Sequence, residues 1–185
     1  MKYRIKISQI VTIILLIIAK PYCWTLFAAG MLLGALGEAL RVWSAGNLYK
    51  DKALATYGPY KMVRNPLYVG SFTMAIGFAV ACINPAYPIR TTALILAILV
   101  GFKYVYRMQV EAEEIHLKNL FGADYEKYCA SVPRYMPKLT ALGDALGSNR
   151  FAVKQAIYNR EYQTVLGFLG VAIFVALRLA GVLSW

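Results

Sequence analysis

The sequence predicts an all-α fold, a polytopic membrane helix bundle of about five spans forming one integral membrane domain over residues 1–185. Three observations carry this. The chain is 59% hydrophobic and only 16% charged, whereas soluble domains hold about a quarter charged residues. Its apolar runs are broken by short basic clusters, the pattern of bilayer-crossing helices. Its net charge of +11 is also distributed unevenly between alternate connections. Disorder, a secreted disulfide scaffold and a coiled coil are excluded. Cys23, Cys82 and Cys129 lie far apart without a CxxC pair, so they read as free thiols rather than zinc ligands or a disulfide framework.

The first apolar run, Ile7 to Ala19, is bounded by Lys6 and Lys20. At about 1.5 Å per residue it reaches roughly 20 Å, short of a core of about 30 Å, so its flanking lysines must snorkel or the bilayer must thin. No small-residue cleavage site separates it from the next run, so it reads as a retained span. The second run extends from Tyr22 to about Leu40 behind Pro21, and carries Gly30, Gly34 and Gly37 at helical spacing. Small residues so spaced permit close helix packing, although they are also common in membrane helices generally. Glu38 and Arg41 are three residues apart and can pair on one face. An acid at that depth is costly and is therefore a functional candidate. The third run, Leu67 to Ile83, and the fourth, Thr91 to Val105, are joined by NPAYPIR and should form an antiparallel hairpin. The last run, Thr164 to about Leu183, contains Arg178 near its end, where it can snorkel.

Seventeen of the twenty basic residues fall on one side of this arrangement, with Lys20 and Arg90 on the other and Arg178 within the last span. The positive-inside rule places the amino terminus and both long connections in the cytoplasm, with the carboxyl terminus opposite. The same charge attracts anionic lipid headgroups. It does not form the single basic stripe that nucleic acid requires.

Chemistry should lie in the two long connections. In YGPYKMVRNPLYVG, Gly58-Pro59 is a turn and Pro66 starts the third span. Arg64 and Asn65 thus sit at a helix amino end, which favours an anionic or polar ligand group. An interface turn with arginine on a lipid phosphate is the alternative. In YRMQVEAEEIHLKNLFGADYEKY, Met108, Val110, Ile115, Leu117, Leu120 and Phe121 mix with charges at helical spacing. The fourth span should therefore continue as an amphipathic cytoplasmic helix, with Gly122 as its stop. Glu111, Glu113 and Glu114 hold a third of the nine acids. They need cations, either Lys103, Arg107, Lys118 and neighbours or a cationic ligand. His116, the sole histidine, is a solvated helix residue or a ligand. No GxGxxG after a strand, GxxxxGK[ST], HExxH or GxSxG is present, so any cofactor must bind among helices.

These two blocks, GPYKMVRNPLYVG and EEIHLKNLFGADYEKYCASVPRYMP, resemble the isoprenylcysteine carboxyl methyltransferase family and related membrane phospholipid methyltransferases. Their pattern is GPYxxVRHPxYxG followed by EExxLxxxFGxxYxxYxxxVPRxxP. LRVWSAG at Leu40 to Gly46 and INP at Ile83 to Pro85 add to the likeness. It covers about Glu38 to Pro137; the last helix, about residues 162–183, has no counterpart in it. The resemblance implies a membrane enzyme that transfers a methyl group from S-adenosylmethionine to a lipid-tailed acceptor, with the cofactor in a cytoplasmic pocket. Carried over, Tyr60, Val63, Arg64, Asn65, Pro66, Tyr68 and Gly70 form one cofactor wall, and Glu113, Glu114, Tyr125 and Arg134 the other.

Two positions depart from the pattern. Its RHP histidine is Asn65 here, which hydrogen-bonds but carries no proton. Four residues before its acid pair, where arginine is common, stands Gln109; Arg107, from the next turn, is the candidate to anchor an acceptor carboxylate. Glu38 and Arg41 are further acceptor candidates. Methyl transfer is an in-line displacement that depends mainly on positioning. A carboxylate acceptor needs no base; a phospholipid amine would need Glu113 or Glu114 as base. A reductase using nicotinamide, which normally has many more spans, and a non-enzymatic lipid-binding scaffold are the competing classes.

Overall fold

The computed structural model describes residues 16–183. Among them are seven α-helices and no strand. They are α1 (Trp24–Gly46), α2 (Pro66–Ala81), α3 (Pro88–Gly101), α4 (Arg107–Ser131), α5 (Leu142–Gly147), α6 (Val153–Tyr158) and α7 (Glu161–Leu179). Most of the first predicted run lies outside the described residues; residues 16–18 are helical. Three helical stretches are long and apolar enough to cross a membrane: α1, the 44 continuous residues Pro88–Ser131, and α7. The apolar α2 has 16 residues.

Glycine sets the contact between α1 and α2. A Cβ on Gly37 would lie 2.6 Å from Gly70 O, and one on Gly77 would lie 2.6 Å from Gly34 N. The two backbones touch, as the spacing of Gly30, Gly34 and Gly37 predicts. Gly34 also accepts the ring of Phe168 from α7. Helices α2, α3 and α7 meet over a core of Ala79, Cys82, Leu94, Ile98 and Val175, joined by Ala19.

The expected hairpin forms between α2 and α3. Asn84 ties its turn, donating Nδ2 to Lys20 O (3.0 Å) and accepting from Ala86 N at Oδ1 (3.0 Å). Five residues of π-helix, Phe102–Tyr106, then join α3 to α4. The change of winding stacks Phe102 on Tyr106 (4.1 Å) and sets Tyr106 edge-on to Tyr68 (5.2 Å). At about 1.5 Å per residue the continuous helix from Pro88 far exceeds the bilayer core, so its charged second half extends beyond the span. Gly122 interrupts it with φ 52° and ψ −125°, a conformation glycine alone adopts freely. The predicted stop is therefore a break, after which the helix resumes to Ser131.

Three expectations are corrected. Helix α1 continues through LRVWSAG to Gly46, so the first connection begins at Asn47 rather than Arg41. Glu38 and Arg41 do not pair: Arg41 Nε instead bonds Glu161 Oε1 of α7 (2.7 Å), and its other nitrogens reach Leu67 O, Ser71 Oγ and Thr164 Oγ1. Packing of α7 against α1 delivers this better-placed acid, which forms a two-point guanidinium contact. Arg178 does not snorkel; it is 8% exposed, lying near Cys82 and Arg90. On α4 the apolar face is also split. Val110 is fully buried and Leu117 and Phe121 pack with Tyr125 and Tyr128, but Met108 and Ile115 are exposed.

Candidate functional site

Two sequence motifs lie side by side through main-chain bonds. Arg64 N donates to Pro133 O (2.8 Å) and Lys138 N to Met62 O (2.9 Å), so the VPR segment after α4 runs along the turn before α2. Side chains complete the junction. Tyr128 Oη donates to Tyr60 O (2.7 Å), and Asn65 Nδ2 donates to Arg134 O (3.2 Å). Asn65, where the resembled pattern has histidine, thus acts here as a clamp between the motifs. Pro66 opens α2 immediately after it.

A cavity of about 320 Å³ opens beside this junction, within the size range of small-ligand sites. Of the predicted residues, Tyr60, Arg64, Asn65, Pro66, Tyr68, Glu113 and Tyr125 line it. Val63 is buried beneath the turn at 1% exposure. Gly70 packs on Gly37 and Arg41 instead. Glu38 and Arg41 belong to the α1–α2–α7 contact and do not reach the cavity wall. Arg107 lies on the protein surface paired with Glu111 (2.9 Å), while Gln109 faces the cavity.

The acid pair divides by helix geometry. Adjacent residues on a helix point about 100° apart, so one carboxylate faces the cavity and its neighbour faces the junction. Glu114 is held between Arg64 Nη1 (3.2 Å) and Arg134 Nε (3.0 Å). That bond keeps the Arg134 guanidinium above its ordinary pKa. Glu113 accepts a hydrogen bond from Tyr68 Oη (2.8 Å), and among the described residues no cation pairs with it.

Two polar atoms are left over. Tyr60 is 6% exposed, and among the described residues its hydroxyl has no hydrogen-bond partner; Arg64 Nε is likewise buried without one. Burial holds the Tyr60 phenol well above its ordinary range, so it is a standing donor. Buried polar atoms are normally satisfied, and two orphans beside one cavity fit a polar ligand. These two donors and the acceptor carboxylate of Glu113 together suit a molecule bearing both anionic and cationic groups.

Sequence reasoning missed the opposite wall. Leu48, Lys50, Asp51, Ala53, Leu54 and Ala55 line the cavity from the first connection. Leu54 packs with the Tyr125–Tyr128 cluster, and Asp51 Oδ1 meets His116 Nε2 at 2.9 Å across the opening. His116 is 58% exposed at its side chain, in keeping with a solvated helix histidine, yet it forms part of the rim. No motif spacing announces this wall; an apolar Leu54 within a polar stretch is its one signal.

A model of the phospholipid methyltransferase family matches residues 24–124. A nickel-cobalt-cadmium resistance protein of Alcaligenes xylosoxydans xylosoxydans is 29% identical over 198 residues, covering 100% of this chain and 87% of that protein. The protein-S-isoprenylcysteine O-methyltransferase of Rattus norvegicus is 33% identical over 130 residues, covering 64% of this chain and 43% of that one. That of Schizosaccharomyces pombe is 35% identical over 101 residues, covering 55% and 40%. The chain thus spans less than half the length of these two relatives. No solved structure matches it.

Proposed function

The chain belongs to the phospholipid methyltransferase family and is a membrane methyltransferase in class, and from that premise we propose that it moves the methyl group of S-adenosylmethionine to a lipid-tailed acceptor. The observation that carries the donor is the pair of orphaned buried donors, Tyr60 Oη and Arg64 Nε, beside the cation-free Glu113. S-adenosylmethionine supplies an electrophilic methyl group on a sulfonium. Tyr60, Arg64 and the turn before α2 would hold its polar groups, and Glu113 would offer a negative charge to its cationic ones. Glu114 acts as a positioning residue that fixes Arg64. Asn65, Tyr128 and Arg134 hold the two motifs together, Pro66, Tyr68 and Tyr125 line the wall, and Val63 packs beneath it.

The acceptor we favour is a prenylcysteine carboxylate, in keeping with the relatives whose names specify that reaction. A carboxylate nucleophile needs no base, which agrees with asparagine at position 65. The protein's task is then alignment and exclusion of water. A phosphatidylethanolamine-type amine is the second reading, and one observation favours it. Among the described residues no cation pairs with Glu113, which leaves its carboxylate to accept a proton from an amine, whereas Arg107 is paired with Glu111 outside the cavity lining. A scaffold without chemistry leaves the orphaned donors without a purpose.

We place the cavity on the cytoplasmic side with the carboxyl terminus opposite, in a bundle of about five spans. The concentration of basic residues on the connections that build the cavity supports this. The test is calorimetric titration of S-adenosylhomocysteine into the purified protein beside its Arg64→Ala and Glu114→Ala variants, followed by methyl transfer to a farnesylated cysteine and to phosphatidylethanolamine vesicles. Binding lost in both variants, with transfer to the first acceptor, is expected. A folded parent that binds no S-adenosylhomocysteine in lipid would overturn the reading.

A further inference from the structure

No residue of helices α5 and α6 lines the cavity, yet both turn bulky apolar side chains outward. Leu142 and Leu146 on α5, and Val153 and Ile157 on α6, are 43%, 61%, 62% and 57% exposed. Both pairs are spaced i, i+4 and so share one face of a helix. The small residues beside them, Ala145 and Ala156, are buried at 0% and 8%. Each short helix is therefore amphipathic in an inverted sense, with alanine inside and large apolar groups outside.

Its attachments fix the height of this segment. Ala152 N donates to Gly46 O at the end of α1 (3.0 Å), and the Phe151 ring lies against Gly46. Asn159 Nδ2 donates to Ala45 O and Leu48 O, both at 2.8 Å. Helix α7 then starts at Glu161. Thus α6 connects the last turn of one membrane helix to the first turn of another, which puts it at the boundary of the apolar layer. Lys138, Arg150, Lys154 and Arg160 in the same stretch of chain are exposed, Arg150 with its guanidinium over the Tyr57 ring (4.7 Å), and Asp144 is the one acid from 138 to 160.

We propose that α5 and α6 form a collar seated in the leaflet on the cavity side. Leu142, Leu146, Val153 and Ile157 enter the boundary between headgroups and acyl chains, and anionic headgroups face the four basic residues. Charge complementarity and continuity with two membrane helices select lipid as the occupant of this face. The collar also supports the cavity wall. Gly58 N donates to Ser148 Oγ (3.3 Å), Arg150 N to Asn47 Oδ1 (2.8 Å) and Gln155 Nε2 to Leu48 O (2.6 Å). Lipid seating thereby holds the Leu48–Gly58 segment in place.

The test uses the full chain with Cys23, Cys82 and Cys129 replaced by alanine, and spin labels on L146C, I157C and, as an exposed reference, K52C. Each is placed in phosphatidylcholine vesicles with and without phosphatidylglycerol. Collision with oxygen, which enters lipid, is compared with collision with a water-soluble nickel chelate. The expected oxygen-to-nickel ratio at positions 146 and 157 is several-fold above that at 52, and rises further with phosphatidylglycerol. Nickel access equal to that at 52 would leave the face open to water and to a soluble partner, and would overturn the proposal. Shielding from both reagents would indicate a second copy as the cover and would overturn it equally. Hydrogen exchange on the unmodified protein guards against label artefacts: amides 142–158 should exchange more slowly when phosphatidylglycerol is present, and unchanged exchange counts against the headgroup contact.

Discussion

Replacing Gly70 by alanine separates a packing role from a ligand-binding one. The added Cβ would stand 2.6 Å from Gly37 O, 2.6 Å from Arg41 Cγ and 3.3 Å from Arg41 N. Ordinary carbon contacts begin near 3.5 Å, so α1 and α2 must separate by roughly 0.9 Å at this point. Neither neighbour yields easily. Gly37 O is main chain, and the Arg41 side chain is anchored by Glu161, Leu67 and Ser71. Overpacking of this kind costs about 1–3 kcal/mol. For a chain of this length that lowers Tm by about 2–4 °C per kcal/mol. Since Gly70 does not line the cavity, S-adenosylhomocysteine affinity measured well below Tm should stay within about twofold, as the local shift costs the cavity under ~0.4 kcal/mol. The assay pairs thermal unfolding in detergent with calorimetric titration at 15 °C. A variant that unfolds like the parent but no longer binds would refute the packing argument and return Gly70 to the ligand wall.

Three further outcomes follow from the same geometry. Tyr60→Phe removes an unsatisfied buried hydroxyl, so unliganded stability should hold or rise while S-adenosylhomocysteine affinity falls by about 1 kcal/mol, near fivefold; lost stability with unchanged affinity would show that the hydroxyl serves the fold. Glu113→Gln should weaken S-adenosylmethionine, which is cationic at sulfur, about tenfold more than neutral S-adenosylhomocysteine, the difference of ~1.4 kcal/mol expected for one partly screened charge. Competition titration reads that ratio, and equal weakening of both would remove Glu113 from the sulfonium's surroundings. Glu161→Gln leaves Arg41 without its acid in a site where the two side chains are only 17% and 6% exposed, so a loss of about 3 kcal/mol is expected; unfolding at the parent's temperature would refute the importance of this pair.

By itself the sequence determined the features governed by local chemistry. Hydropathy places the apolar helices, Pro66 starts α2, Gly122 breaks α4, and glycine spacing selects the α1–α2 contact. Each follows from the backbone limits or side-chain volume of residues close together in the chain. Seven of the predicted cavity residues were readable because they sit in two compact motifs. What lay beyond reach depends on partners brought from far along the chain. Arg41 prefers Glu161, 120 residues away, over Glu38 on its own helix, because the packing of α7 decides which acid presents two oxygens. The division of labour between Glu113 and Glu114 required the rotation of α4 to be known, since a shift of one residue turns a side chain by about 100°. The Leu48–Ala55 wall carries no periodic signal; its start is held by bonds from Arg150, Gln155 and Asn159, about 100 residues further along the chain. Pairing across such distances reflects the rotation and height of packed helices, which only the tertiary structure fixes.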